Sequence, residues 1–193
     1  MKYCPECAGA VTHTIPEGDN RLRYVCNSCD TIHYHNPKNV VGCLLEWEGK
    51  VLLCKRSIEP RYGYWTLPAG FMENGESLQD GAAREAREEA MATAEDLSLF
   101  AVYNLPRISQ IYIMFHGTLK DGFADVGEES LDVGLFEKAQ IPWDELAFPA
   151  VTECLQRYYD HHPRSTGWEG RVHTADIHSR PGQPVDIVRH TAT

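Results

Sequence analysis

Three glutamates crowd one stripe of a single helix, and any fold for this chain must accommodate them. Residues 77–92 read as a helix, with Ser77 as a plausible N-cap and Asp80 three residues on. Within it Glu85, Glu88 and Glu89 stand at i, i+3 and i+4. At about 100° per residue their directions span roughly 100°. Three like charges at this spacing repel and destabilise a bare helix. One reading is a solvated face laced by pairs such as Asp80–Arg84 and Arg84–Glu88. The other is a site for a hard divalent cation, Mg²⁺ or Mn²⁺, whose preference for oxygen ligands relieves the repulsion. Beside the stripe lie Leu78, Ala82, Ala83, Ala86 and Ala90, a small-residue face that lets the helix approach a sheet closely.

A second pattern marks the N-terminus. Cys4-x2-Cys7 and Cys26-x2-Cys29 form two knuckles separated by 18 residues. Two such turns bring four soft thiolates around one tetrahedral ion, the requirement of a structural zinc site. A redox dithiol pair is the alternative, and a second matched pair speaks against it. Residues 1–36 are therefore expected to form a zinc ribbon, with a turn at Ile15–Asp19 and a short strand at Arg21–Val25. Its charge is not basic, so stability, dimerisation or a substrate lid suits it better than nucleic-acid binding. Cys43, Cys54 and Cys154 lack partner spacing and read as buried thiols.

Composition sets the remaining limits. The 193 residues carry 18 Lys+Arg against 28 Asp+Glu, a net charge of −10, which opposes general affinity for polynucleotides. No apolar run approaches the roughly 20 residues of a membrane span, and the start does not read as a signal peptide. A cytoplasmic protein is expected. Asn36-Pro37 reads as a linker into a domain over 37–162. Strands are predicted at Val40–Glu46, Lys50–Lys55, Leu99–Tyr103, Gln110–Leu119 and Leu131–Phe136, a loop at Pro60–Gly70, and a closing helix at Ala150–Tyr159. This order suggests an α/β or α+β class, a mixed sheet with helices packed on it. Residues 163–193 read as a polar C-terminal tail or arm.

The spacing Gly70-x5-Glu76-x7-Arg84-Glu85-x2-Glu88-Glu89, preceded by Trp65-Thr66-Leu67-Pro68-Ala69, resembles the Nudix hydrolase motif. All its polar positions match. The departures are Ala86 and Ala92 where bulky aliphatic residues are usual, and Met91 where the motif has a glycine. A glycine there serves as a helix C-cap, so Met91 is expected to change how the helix ends.

The resemblance implies an α/β/α sandwich and hydrolysis of a nucleoside diphosphate linked to another group. It implies Glu85, Glu88 and Glu89, with the Ala69 carbonyl, as ligands of Mg²⁺ (or Mn²⁺), and Arg84, with Glu76, as the group that orients the carboxylates. The general base is a helix glutamate or Glu129 in the loop before Leu131. For Glu129 a plain surface charge is the alternative. Arg56 is a candidate phosphate contact, or a surface charge at a strand end. Trp65, with Tyr62 and Tyr64, offers a ring for stacking on a base or flavin, or for packing.

A zinc ribbon ahead of such a domain is shared by two branches. NADH pyrophosphatases, including the NAD-cap-removing enzymes, carry Ser-Gln-Pro-Trp-Pro-Phe-Pro after the motif; here Ser109-Gln110-Ile111-Tyr112-Ile113-Met114-Phe115 keeps only the Ser-Gln. The plant plastid FAD and ADP-ribose pyrophosphohydrolase group is the closer resemblance, through Lys50–Arg56, Trp65–Gly70, Glu129-Ser130-Leu131 and Leu146-Ala147-Phe148. It implies FAD or ADP-ribose as the small-molecule substrate, with AMP plus FMN or ribose 5-phosphate as products. A non-catalytic nucleotide- or nucleic-acid-binding module is the alternative from another class. The resemblance also allows a homodimer with the tail as an exchanged arm.

Overall fold

The computed structural model describes residues 1–161 and 172–190. The chain divides into two compact units, Met1–Pro37 and Lys38–Thr193. The first is a three-stranded antiparallel sheet of β1 (Val11–Thr14), β2 (Arg23–Cys26) and β3 (Ile32–His33). The turn before β2 is closed by the Asp19 N–H donating to the Pro16 carbonyl at 3.1 Å. Asp19 also takes a 2.8 Å hydrogen bond from Arg23 Nε.

The second unit begins with β4 (Lys38–Trp47) and β5 (Lys50–Arg56). Glu48 and Gly49 join them, both with positive φ, at 49° and 78°. That is the conformation a tight hairpin turn demands. The two strands pair only at Glu46–Val51 and Trp47–Lys50, then part. The gap is filled by β6 (Trp65–Thr66), which pairs with β5, and β7 (Ala69–Phe71), which pairs with β4. The segment expected as plain loop therefore holds two short strands.

The helix α1 (Leu78–Ala90) follows, then β8 (Ala94–Leu105), β9 (Gln110–Leu119), β10 (Ser130–Phe136) and α2 (Pro149–His161). Two further strands, β11 (His173–His178) and β12 (Asp186–His190), lie where a polar tail was expected. The mixed sheet runs β10-β5-β4-β9-β8-β11-β12, with β4·β9 and β8·β11 parallel and the other pairs antiparallel.

Strand alternation sorts side chains onto two cores. Val41, Cys43, Leu45 and Phe115 face α1, where Ala82, Ala86 and Ala90 are fully buried. Leu44, Leu53 and Met114 face α2, where Val151, Cys154, Leu155 and Tyr158 complete the layer. This is the α/β/α sandwich. The alanine face of α1 leaves room for no bulk between helix and sheet, so the helix backbone and its acidic stripe are held close to β4 and β7. Each buried Val, Leu or Phe contributes roughly 1.5–3 kcal/mol relative to exposure. Among the described residues no helix is long and apolar enough to cross a membrane.

Candidate functional site

The acidic stripe sits where β4 and β5 part. Ser77 caps α1 by accepting the Asp80 N–H at 3.2 Å. At the other end Met91 adopts the left-handed region, φ 48°, and donates its N–H to the Arg87 carbonyl, while the Ala92 N–H reaches the Ala86 carbonyl. A left-handed residue at this position is what glycine usually provides. The helix thus ends as a glycine-capped helix would, and the expected change at Met91 appears as strain rather than as a different ending.

Glu85 and Glu89 are buried. Glu89 Oε2 accepts the Ala69 N–H of β7 at 3.3 Å. Burial, reinforced by the Glu85 charge, pushes the Glu89 carboxyl up to about 8, against the pull of the Ala69 N–H and Arg56. Burial likewise raises Glu85, and Arg84 opposes it. Gly70 leaves the space Glu85 occupies: a Cβ there would stand 2.4 Å from both of its carboxylate oxygens.

Arg84 ties the carboxylates into one lattice. Its Nη1 donates to Glu85 Oε1 at 2.7 Å and to Glu88 Oε2 at 3.0 Å. Nε and Nη2 form a fork on Glu76, at 3.0 and 2.9 Å, and Nη2 also reaches the Phe71 carbonyl. Hydrogen bonds from Arg84 hold the Glu76 carboxyl down at about 2. Glu76 in turn accepts the Glu73 N–H at 2.7 Å.

Glu129 arrives from a loop docked on the end of α1. The Asp125, Gly127 and Glu128 N–H groups donate to the carbonyls of Ala90, Glu89 and Glu88 at 2.9, 3.1 and 3.1 Å. Helix-end carbonyls need such partners. Gly127 is required for the approach, because a Cβ would stand 1.9 Å from the Glu88 carbonyl oxygen. The Glu129 carbonyl accepts the Ser57 N–H at 2.9 Å, which ties the loop to the end of β5.

These groups line one cleft of about 1130 Å³ together with Arg56, Tyr112, Phe148 and Ile177. Arg56 is buried, donates from Nε to the Pro60 carbonyl at 3.0 Å and lies 5.2 Å from the Phe148 ring centroid. The cleft therefore brings together Arg56, Ala69, Arg84, Glu85, Glu88, Glu89 and Glu129. Trp65 is not among its lining residues. It lies in the α2-side core, edge-on to Phe136 at 4.9 Å. The expectation that Trp65 binds substrate is corrected: β6 pairing with β5 turns the ring inward. Sequence reasoning missed the wall formed by Arg107, Ile108, Ile177 and Ser179. The only signal for it was the short alternation in His173–His178.

In the N-terminal unit the Sγ atoms of Cys4, Cys7, Cys26 and Cys29 all lie within 4.8 Å of one another. The Cys7–Cys26 and Cys7–Cys29 separations are 3.4 Å and Cys4–Cys29 is 3.8 Å. Zn–S bonds of about 2.3 Å in a tetrahedron place sulfurs roughly 3.8 Å apart. The four thiols fit one zinc ion.

Comparison with known proteins agrees with both units. Residues 2–35 match the Nudix N-terminal family of zinc ribbons, and residues 35–160 match the NUDIX domain family. An ADP-ribose pyrophosphatase of Methanocaldococcus jannaschii is 32% identical over 119 residues, covering 60% of this chain and 69% of that protein. An NAD-capped RNA hydrolase NudC of Vibrio atlanticus is 28% identical over 135 residues, covering 66% of this chain and 48% of that protein. The chain thus spans about half the length of that relative. The crystal structure of a NUDIX hydrolase from Nitrosomonas europaea superposes with a TM-score of 0.87 at 50% identity, covering 93% of this chain and 100% of that one. Fold, site and sequence agree, and the chain belongs to the Nudix hydrolase family, with a zinc-ribbon unit ahead of the catalytic domain.

Proposed function

We propose that this Nudix hydrolase cleaves the P–O–P bridge of a nucleoside diphosphate derivative, ADP-ribose or FAD, with Mg²⁺ (or Mn²⁺) as the working ion. The observation that carries the reading is the pair Glu85 and Glu89, two carboxylates of one helix buried in the wall of a large cleft and raised by that burial. Arg84 pairs with Glu85 alone of these two, and a hard divalent cation would add countercharge for both through the oxygen ligands it prefers. Glu85, Glu88 and Glu89, with the Ala69 carbonyl, would hold it. When bound, the ion neutralises diphosphate charge and lowers the pKa of an attacking water.

The chain's own groups do the rest. Arg84 fixes the positions of Glu85 and Glu88 through its hydrogen bonds. Glu129, on the same cleft, takes the proton from the attacking water. Arg56 offsets charge on the phosphate that leaves. The products are AMP and either ribose 5-phosphate or FMN. The name of the Methanocaldococcus jannaschii relative supports ADP-ribose. FAD rests on the plant plastid resemblance.

NADH, or an NAD cap on RNA, is the second reading, and similarity to NudC favours it. Against it, residues 110–115 form continuous strand hydrogen-bonded to both β4 and β8. A proline run there would break those ladders. The test is a substrate panel of ADP-ribose, FAD, NADH and coenzyme A with Mg²⁺ or Mn²⁺. Release of AMP from ADP-ribose or FAD with higher kcat/KM than from NADH is expected. Preference for NADH would select the second reading, and no turnover of any diphosphate would refute both.

A further inference from the structure

The cleft extends well past the acidic groups. Residues in one register row, Phe71, Val40, Tyr112, Tyr103 and Ala175, step across β7, β4, β9, β8 and β11. Four strand spacings of about 4.8 Å make roughly 19 Å from the acidic end to β11. The far end is of a different chemistry. Leu105, Ile108, Tyr112 and Ile177 provide apolar surface, and Arg107 stands beside them. Arg107 Nη1 donates to the Ser179 carbonyl at 3.1 Å, just beyond β11.

Part of this wall comes from outside the residues that match the NUDIX domain family, since Ile177 and Ser179 follow residue 160. It is nevertheless firmly held. Asn104 Nδ2 donates to Asp176 Oδ1 at 2.8 Å, and β12 is anchored to α2 by Arg189 on Glu153. A guanidinium keeps five donors and a flat face, and one tethered nitrogen leaves the others available. Apolar surface beside such a group suits a planar ring with acceptor atoms on its edge. It suits a bare phosphate less well, because a phosphate gains nothing from the apolar shelf.

We infer that Arg107 and the β11 wall form the subsite for the heteroaromatic ring of the substrate, a purine or a flavin, and that Arg107 sets specificity for it. The inference rests on the proposed diphosphatase reading for the substrate's other half, but binding tests it without turnover.

The experiment measures affinities of AMP, FMN and ribose 5-phosphate by calorimetry, for the full chain and for Arg107→Ala, Arg107→Lys and Ile108→Ala. Ile108 is exposed, so its truncation spares the core. Arg107→Ala is expected to weaken AMP or FMN about tenfold and to leave ribose 5-phosphate within twofold. Which ring-bearing product suffers identifies the ring. Arg107→Lys, which keeps charge but not the flat fork, is expected to recover less than half of the loss on a logarithmic scale. In turnover, KM for the matching substrate rises with kcat little changed. Equal weakening of all three ligands would make Arg107 a phosphate contact or a mere brace for β11, and would overturn the inference, as would no change in any. A wild type that binds AMP or FMN through Arg107 yet hydrolyses nothing would sink the diphosphatase reading and leave the ring subsite standing.

Discussion

Arg189 grips Glu153 with two parallel hydrogen bonds, Nε to Oε1 and Nη2 to Oε2, both at 2.8 Å. Glu153 lies on α2 and is fully buried, and Arg157 Nε adds a third bond at 2.8 Å. Burial alone would raise this carboxyl, but the hydrogen bonds from Arg189 and Arg157 outweigh it and hold it below its ordinary 4.5. Removing one guanidinium leaves a buried carboxylate short of partners. Arg189→Ala is expected to destabilise the fold by about 2–3 kcal/mol, read from urea midpoints at pH 7. The sign of the pH effect follows from the lowered pKa. The stabilisation is complete above 4.5 and is lost as pH falls through the folded value, so the gap between wild type and variant should narrow below that point.

Glu89 behaves in the opposite sense. Its folded carboxyl, at about 8, holds a proton that the unfolded chain releases near 4.5. Without divalent cation, stability should therefore fall as pH rises between those values. Glu89→Gln should flatten that slope in a series of thermal melts. Mg²⁺ should raise the wild-type Tm at pH 8 and leave the variant nearly unmoved. For turnover, Glu85→Gln is expected to lower kcat about a hundredfold or more, equivalent to roughly 3 kcal/mol of lost transition-state stabilisation.

Met91 carries a side chain where φ is 48°. A left-handed conformation costs an L-residue about 1–2 kcal/mol, part of which glycine returns through its looser unfolded chain. Met91→Gly is expected to stabilise the protein by about 0.5–1 kcal/mol. Met91→Ala, equally strained, should not, and denaturant titration of the two side by side separates strain relief from loss of the methionine side chain.

The ribbon should depend on its metal. Metal analysis is expected to find about one zinc per chain, and Cys26→Ser, which removes a buried ligand, should lose it. Loss of the dispersed amide resonances of residues 1–37, with those of the catalytic domain retained, is the accompanying NMR signature. Full zinc content in the variant would contradict the four-thiolate site.

Much of this architecture was legible in advance, and the reasons differ by element. α1 was readable because cap, alanine face and acidic stripe all follow one period, and its start is set by a local bond from Asp80 to Ser77. β9 was readable because Ile111, Tyr112, Ile113 and Phe115 form a run of β-branched and aromatic residues. For β8 the sequence pattern marks only Leu99–Tyr103, five of its twelve residues. Register shifts at Glu95/Ser98 and Leu99/Ala101, with Asp96 at φ 54°, scramble the alternation. Trp65 shows a different limit: a ring in a glycine- and proline-rich stretch looks the same in sequence whether it faces ligand or core. The strands β11 and β12 were hidden because what holds them is distant. Asp176 bonds to Asn104, and Arg189 to Glu153. The acidic part of the cleft was therefore visible in one short motif, whereas its far wall was not.

The Arg189 clasp also bears on how the molecule comes into being. Glu153 leaves the ribosome 36 residues ahead of the arginine that completes its charge pairing. Until then α2 can settle on the sheet only with a carboxylate that Arg157 alone must neutralise. Helix α2 and the last hairpin thus share one ion pair. A nascent chain has its acidic motif long before it has a finished cleft, because Ile177 and Ser179 of the far wall are made some ninety residues after Glu85.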